Sequence, residues 1–267
     1  MVRAGHSIRL DQITSDAVDE EAIRTGSWLR LLPPLSRVGQ YRHWLRSETE
    51  RWIRHPFKPK LVGNSIGIWR EQLIRINGFD EVFRGWGCED DDLRRRLAQS
   101  GQQIRSFSWF GVSFHMWHPP DSTAPIRWRN GNNVDYFRRP LVLTRCIEGI
   151  QPRTFEQIRV LVSAGDSDDR QRHLAEVLTR SFDSRTGSPE LELLFYPRAN
   201  HFQYKADCRV AMVFGDHALP YSIRRTADAI VQIPETANPR CIMNELRRLA
   251  GIQAPAMIAA AAEPSAR

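Results

Sequence analysis

Lysine is nearly absent from this chain of 267 residues: Lys58, Lys60 and Lys205 stand alone, so arginine supplies nearly all of the positive charge. Cysteine is sparse as well. Cys88, Cys146, Cys208 and Cys241 are widely separated and form no CxxC pair, which excludes a cysteine zinc site and a dense disulfide framework. No apolar run approaches the ~18 residues a membrane span requires, and the N-terminus shows no charged-then-apolar leader. The expectation is a cytoplasmic protein, peripheral at the inner face of a membrane if it touches one. No internal repeat stands out, and tryptophan is missing from the whole second half: all eight lie between Trp28 and Trp128.

What is present is ordinary in bulk and uneven in detail. The chain is 41% hydrophobic and 26% charged, enough for two modest domains. A formal charge of +7 and a pI near 9.7 suit an anionic ligand, a nucleic acid or an anionic membrane alike, since arginine's planar fork binds phosphates and carboxylates bidentately. No recognisable nucleic-acid motif accompanies the charge, so nucleic acid is not the expected partner.

The pattern of elements changes near residue 150. Before it, "SIRL" reads as a short strand and "SDAVDEEAIRTGSWL" as a capped helix. Over 36–55, Tyr41, Trp44, Leu45, Trp52 and Ile53 recur at helical spacing in a basic background. That segment reads as an amphipathic surface helix in preference to a membrane-docking one. "KLVGNSIGIW" reads as a buried strand, "REQLIRIN" as a short helix stopped by Gly78, "QQIRSF" and "GVSFHMW" as strands, and "NVDYFRRPLVLTRCIEG" as a helix interrupted at Pro140. Beyond it, "IRVLVSAG", "ELELLFYP", "CRVAMVFGD" and "ADAIVQIP" alternate with helical stretches, which predicts a small parallel-sheet domain over 151–252. Residues 253–267 form a low-complexity tail.

Chemistry concentrates in "GFDEVFRGWGCEDDDLRRRL", residues 78–97. Four acids in a first helical turn offset the helix dipole. Asp90, Asp91 and Asp92 each have an arginine four residues on, the order that supports a helix. With Leu93 and Leu97 defining the buried side at ~100° per residue, Glu89 and Asp90 fall within about 60° of it, while Asp91 and Asp92 point away. Two carboxylates aimed inward need a donor or a cation. The Gly85-Trp86-Gly87 turn beside them offers a flat indole face, the pairing that commonly holds sugar rings. A second cluster, "FHMWHPP", places His115 and His118 at a strand end, where a structural role and a metal or phosphate role are equally favoured. Side chains alternate along a strand, so the two histidines share a face only if the strand breaks between them.

The order Gly63-Asn64, Asn77-Gly78-Phe79-Asp80, Gly85-Trp86-Gly87, Glu89-Asp90 and His115/His118 resembles the C-terminal half of the catalytic domain of family 2 and β-1,4-galactosyltransferase-type glycosyltransferases, over about Leu61–Pro119. The resemblance implies an α/β fold: a partial GT-A-like nucleotide-diphospho-sugar transferase (acceptor half) over 1–150, followed by the small α/β domain. It implies an inverting transfer from a nucleotide-diphosphate sugar to a hydroxyl of a glycan or other acceptor. Asp90 would be the catalytic base; Glu89, Asp91, Trp86 and Gly87 would hold the acceptor, and Gly63 and Asn64 would line the donor pocket. A divalent cation, Mn²⁺ or Mg²⁺, would be held by His118, with His115 the second choice. In that family a donor-binding half ends in an Asp-x-Asp pair ahead of this segment. Asp166-Ser167-Asp168 has the spacing but reads as a helix cap. A chain lacking its donor half, a half supplied by another polypeptide, and a non-catalytic glycan-binding or assembly protein are all left open.

Overall fold

The computed structural model describes residues 2–4, 6–9, 16, 18–27, 36–53, 55, 58–61, 65–107, 112–119, 131–165, 168–183 and 187–252. The chain divides into two compact units, one of residues 1–138 with 144–152, the other of 139–143 with 153–267. The second unit therefore takes in residues 139–143 as well as the stretch after 152.

In the first unit, β1 (Val2–Ala4), β2 (His6–Arg9), α1 (Glu20–Thr25), α2 (Ser36–Trp52), β3 (Ile66–Gly67), α3 (Arg70–Arg75), α4 (Glu89–Gln99), β4 (Ile104–Ser106), β5 (Val112–His115) and α5 (Asn132–Phe137) follow one another. β1 is central to a three-stranded sheet, antiparallel to β3 and parallel to β4. β2 and β5 pair in parallel, His6 opposite Val112 through Arg9 opposite His115. The core collects Val2, Leu61, Ile76, Leu93, Leu97 and Ile104. The strand expected over "KLVGNSIGIW" is confined to Ile66–Gly67 among the described residues, and the helix expected to run on to Pro140 ends at Phe137. α1 is capped by Asp19, whose side chain accepts from Ala22 N at 2.7 Å, and it ends on left-handed Gly26.

The second unit holds a short 3₁₀ turn (Phe155–Gln157), β6 (Val160–Ser163), α6 (Asp169–Arg180), β7 (Leu191–Tyr196), β8 (Cys208–Phe214), α7 (Tyr221–Thr226), β9 (Ala229–Ile233) and α8 (Pro239–Leu249). Its four strands are parallel and lie in sequence order, β6-β7-β8-β9. Central β7 and β8 are buried on both faces, as their largely apolar sequences require, each broken by one charged residue, Glu192 and Arg209, whereas edge strand β9 alternates buried and exposed residues. Asp168 caps α6 by accepting from Gln171 N at 2.8 Å, so it serves as the expected cap; Asp166 and Ser167 lie outside the described residues. Two acids sit inside this unit. Glu190 pairs with Arg153 at 2.7 Å, and Glu192 accepts from Ser163 Oγ and from the amides of Gln203 and Tyr204. These bonds meet the desolvation cost of each carboxylate locally.

Candidate active site at the entrance of the acidic helix

The Asn-Gly-Phe-Asp motif proves to be a corner. After α3 the backbone takes two successive left-handed residues, Asn77 (φ 67°) and Gly78 (φ 77°). A Cβ on Gly78 would lie 2.7 Å from Ile150 Cγ1, so glycine is required for space as well as for φ. Asn77 Nδ2 donates to the carbonyls of Cys146 (3.0 Å) and Gln151 (2.9 Å), and its Oδ1 accepts from Gln151 N (2.9 Å). This one side chain fastens a segment some 70 residues away to the end of α3. Buried Asp80 accepts from Tyr136 Oη at 2.8 Å and from Val82 N at 3.3 Å.

The next turn is built on positive φ angles: Gly85 (72°), Gly87 (111°) and Cys88 (72°) surround Trp86. Such a path is closed to most side chains, which explains the glycines and marks Cys88 as strained. Asn133, at the start of α5, braces the turn from outside. Its Nδ2 faces the carbonyl oxygens of Arg84 (3.2 Å), Trp86 (3.3 Å) and Gly87 (3.1 Å), and its Oδ1 accepts from Arg84 N (3.2 Å). Trp86 is left 39% exposed beside the helix entrance. Asn133 opens a stretch read in the sequence only as a helix; no local signal ties it to residue 86, because the link exists only across the turn.

Glu89, Asp90 and Asp91 are all half-buried in the first turn of α4. Glu89 Oε2 is buried and has no hydrogen-bond partner among the described residues, a costly state for a carboxylate oxygen and one that a substrate hydroxyl would relieve. Asp92 departs from the sequence expectation. It is fully buried rather than turned to solvent, and it pairs with equally buried Arg96 at 2.7 Å. Arg96 Nη1 continues to Ile76 O at 2.9 Å. Arg94, also buried, donates to the carbonyls of Pro59 (2.8 Å) and Lys58 (2.9 Å). The leucines therefore mark only part of the buried side, which widens to admit charges that have partners. Burial, then the charges of Asp91 and Glu89, push the Cys88 thiol above its ordinary range, with Arg138 pulling the other way. The thiol stays protonated near neutrality, so this cysteine is no nucleophile there.

β5 ends at His115, so the strand stops between the two histidines and His118 folds back. Their Nε2 atoms approach to 2.9 Å, with ring centroids 4.9 Å apart. His118 Nδ1 lies 2.9 Å from Pro119 O. A carbonyl only accepts, so Nδ1 carries the hydrogen; in the neutral ring Nε2 then presents a lone pair, which His115 Nε2–H meets in the absence of a metal. Backbone fixing of the far nitrogen is how ligating histidines are oriented, and convergent imidazole nitrogens suit a transition-metal ion better than Mg²⁺, which prefers oxygen. Among the described residues, no group of three or more His, Cys, Asp or Glu side chains is placed to hold a metal. Gly63 and Asn64 lie outside the described residues. The acidic turn and the histidine pair belong to the same unit.

The family model for the N-terminal domain of galactosyltransferase matches residues 45–119. Its description names an N-terminal domain where the resemblance above implied a C-terminal half; the galactosyltransferase family is common to both. Beta-1,4-galactosyltransferase 2 of Cricetulus griseus and of Homo sapiens are each 38% identical over 71 residues, 26% of this chain and 19% of theirs. Beta-1,4-galactosyltransferase 6 of Rattus norvegicus is 45% identical over 49 residues, 18% of this chain and 13% of its own. The chain thus spans about a fifth or less of the length of these curated relatives. No solved structure matches it. Residues 45–119, which contain the corner, the tryptophan turn, the acidic helix and the histidine pair, are similar to a β-1,4-galactosyltransferase-type glycosyltransferase; the family 2 designation has no counterpart in these matches.

Proposed function

We propose that this protein is a hexosyltransferase of the β-1,4-galactosyltransferase type, with a GT-A-like arrangement whose acceptor side is formed by the Trp86 turn and the first turn of α4. The observation that supports the reading most directly is the buried Glu89 Oε2 beside the Trp86 turn, without a hydrogen-bond partner among the described residues, within the segment similar to galactosyltransferases. In this reading the indole of Trp86 receives an apolar sugar face, and Glu89 and Asp91 accept hydrogen bonds from acceptor hydroxyls. Asp90 takes the proton from the attacking hydroxyl as its oxygen bonds to the anomeric carbon and the bond to the nucleotide diphosphate breaks, which inverts the configuration. His118 and His115 would hold a divalent cation, Mn²⁺ fitting their nitrogens better than Mg²⁺. When bound, that cation would offset the charge building on the departing diphosphate.

Two measurements test this. Mn²⁺ added with uridine- or guanosine-diphosphate sugars should raise the melting temperature of the chain, and His118→Ala should remove the rise. Asp90→Asn should lower transfer to a glycan acceptor by about 10²–10⁴-fold while leaving the Mn²⁺-dependent rise intact. Undiminished turnover in Asp90→Asn would exclude that carboxylate as the base, and glycan binding that persists unchanged in EDTA with no turnover would replace the transferase with a lectin.

A further inference from the structure

Helix α2 carries its apolar residues on the wrong side for a core. At ~100° per residue, Tyr41, Trp52, Leu45 and Val38 fall, in that order, within about 60° of one another around the helix. All four are exposed, at 44%, 82%, 47% and 49%, and Ile53 directly after the helix is 62% exposed. The protein lies on the side of Trp44, Ser47 and Arg51: Ser47 is buried with its hydroxyl on His43 O at 2.9 Å, Trp44 and Arg51 are half-buried, and α2 packs against β4. This is a single stripe two aromatic and two aliphatic side chains long, where soluble surfaces scatter such residues singly. Arginines line it. Arg42 and Arg46 run along one flank at about 40° and 80° from Val38, and both are exposed. Each of the helix's two acids is engaged by an arginine: Glu50, well away from the stripe, by Arg46 at 2.9 Å, and Glu48, about 20° beyond Tyr41 on the other flank, by Arg51 at 2.7 Å. No acid stands in the first turn of α2.

We propose that α2 docks on an anionic lipid surface, with Val38, Tyr41, Leu45 and Trp52 entering the headgroup–acyl boundary and Arg42 and Arg46 meeting lipid phosphates. Tryptophan and tyrosine join an apolar body to a polar tip, which suits them to that boundary, and arginine keeps its head at the phosphates while its stem lies along apolar surface. The positive excess of the chain favours the same partner. A second copy of the chain fits less well, because two-fold pairing would set the same arginine-flanked stripe against itself. The inference does not rest on the proposed transferase activity.

The test is co-sedimentation of the full chain with vesicles of phosphatidylglycerol and phosphatidylcholine, beside vesicles of phosphatidylcholine alone. Binding is expected to the anionic vesicles only, and 0.5 M salt should release it. Arg42→Glu, and the pair Leu45→Ser with Trp52→Ser, should each weaken it by about tenfold or more. These side chains are exposed, so the melting temperature should not move; sedimentation velocity run in parallel reports association of the chain with itself. Absence of binding to anionic vesicles, equal binding by all variants, or a wild-type dimer that the serine pair converts to monomer would each overturn the proposal.

Discussion

Replacing Asn133 with alanine removes the brace that holds the Trp86 turn, and its cost can be worked from the geometry. Nδ2 has two hydrogens for three carbonyl oxygens at 3.1–3.3 Å, so they amount to two effective bonds. Arg84 N to Oδ1 at 3.2 Å adds a third. At about 0.5–1 kcal/mol each, the loss is about 1.5–3 kcal/mol, with the lower half favoured because the Arg84 and Trp86 carbonyls are exposed enough to be taken up by water. Asn133→Asp keeps the acceptor for Arg84 N but sets a carboxylate against three carbonyl oxygens, which should cost at least about another 1 kcal/mol. Stability should therefore fall in the order wild type, alanine, aspartate. Urea denaturation measures that order, and hydrogen exchange at the Arg84 amide reports the turn itself. An alanine variant within 0.5 kcal/mol of wild type, or an aspartate variant more stable than alanine, would refute the bracing role.

Other outcomes follow from neighbouring groups. Arg96→Met leaves Asp92 buried without its cation and should cost about 3–5 kcal/mol in denaturant melts, much of it regained when Asp92→Leu is added. Cys88→Gly removes a side chain from a left-handed residue and should stabilise by about 1 kcal/mol. Because the folded state raises the Cys88 thiol, its contribution is whole below the ordinary thiol pKa of about 8.5 and is lost as pH rises through the raised value. The advantage of Cys88→Gly should therefore widen above about pH 9 in thermal melts. Burial would push the Glu156 carboxyl up, but hydrogen bonds from Arg247, the backbone and Thr154 outweigh it and hold it below the ordinary range. Its contribution is present above about pH 4.3 and lost as pH falls through the lowered value. Arg247→Met should cost about 1 kcal/mol or less at pH 7, the pair being only half-buried, and progressively less as pH falls below about 4.3.

Much of the second unit was legible because its strands are largely apolar segments between helices with Asp168 and Asn238 at their caps. Hydropathy sees such elements directly. It fails where charge is buried: Asp92, Arg94 and Arg96 read as a solvated face until the carbonyls of Ile76, Pro59 and Lys58 and the ion pair itself are in view. α2 fails in the opposite sense, since helical periodicity locates an apolar stripe but not the side of the protein it faces. The acidic turn and the histidine pair were readable as local motifs. What positions the tryptophan turn was not, because Asn133 reaches it across 46 to 49 residues of chain.

The passage of residues 139–143 into the second unit, before 144–152 return to the first, bears on how the molecule can be taken apart. The backbone crosses three times where a tandem arrangement crosses once. Leu141 N supplies a donor to Leu249 O at the end of α8 (3.1 Å), and Val142 O receives the Cys208 thiol (2.9 Å). A fragment begun at 153 would strand one of the last carbonyls of its final helix and the thiol at the head of β8, and one stopped at 138 would forfeit the loop that Asn77 ties down. The two units are stitched together rather than strung in line, so no single cut, whether by protease or by recombination, releases both intact.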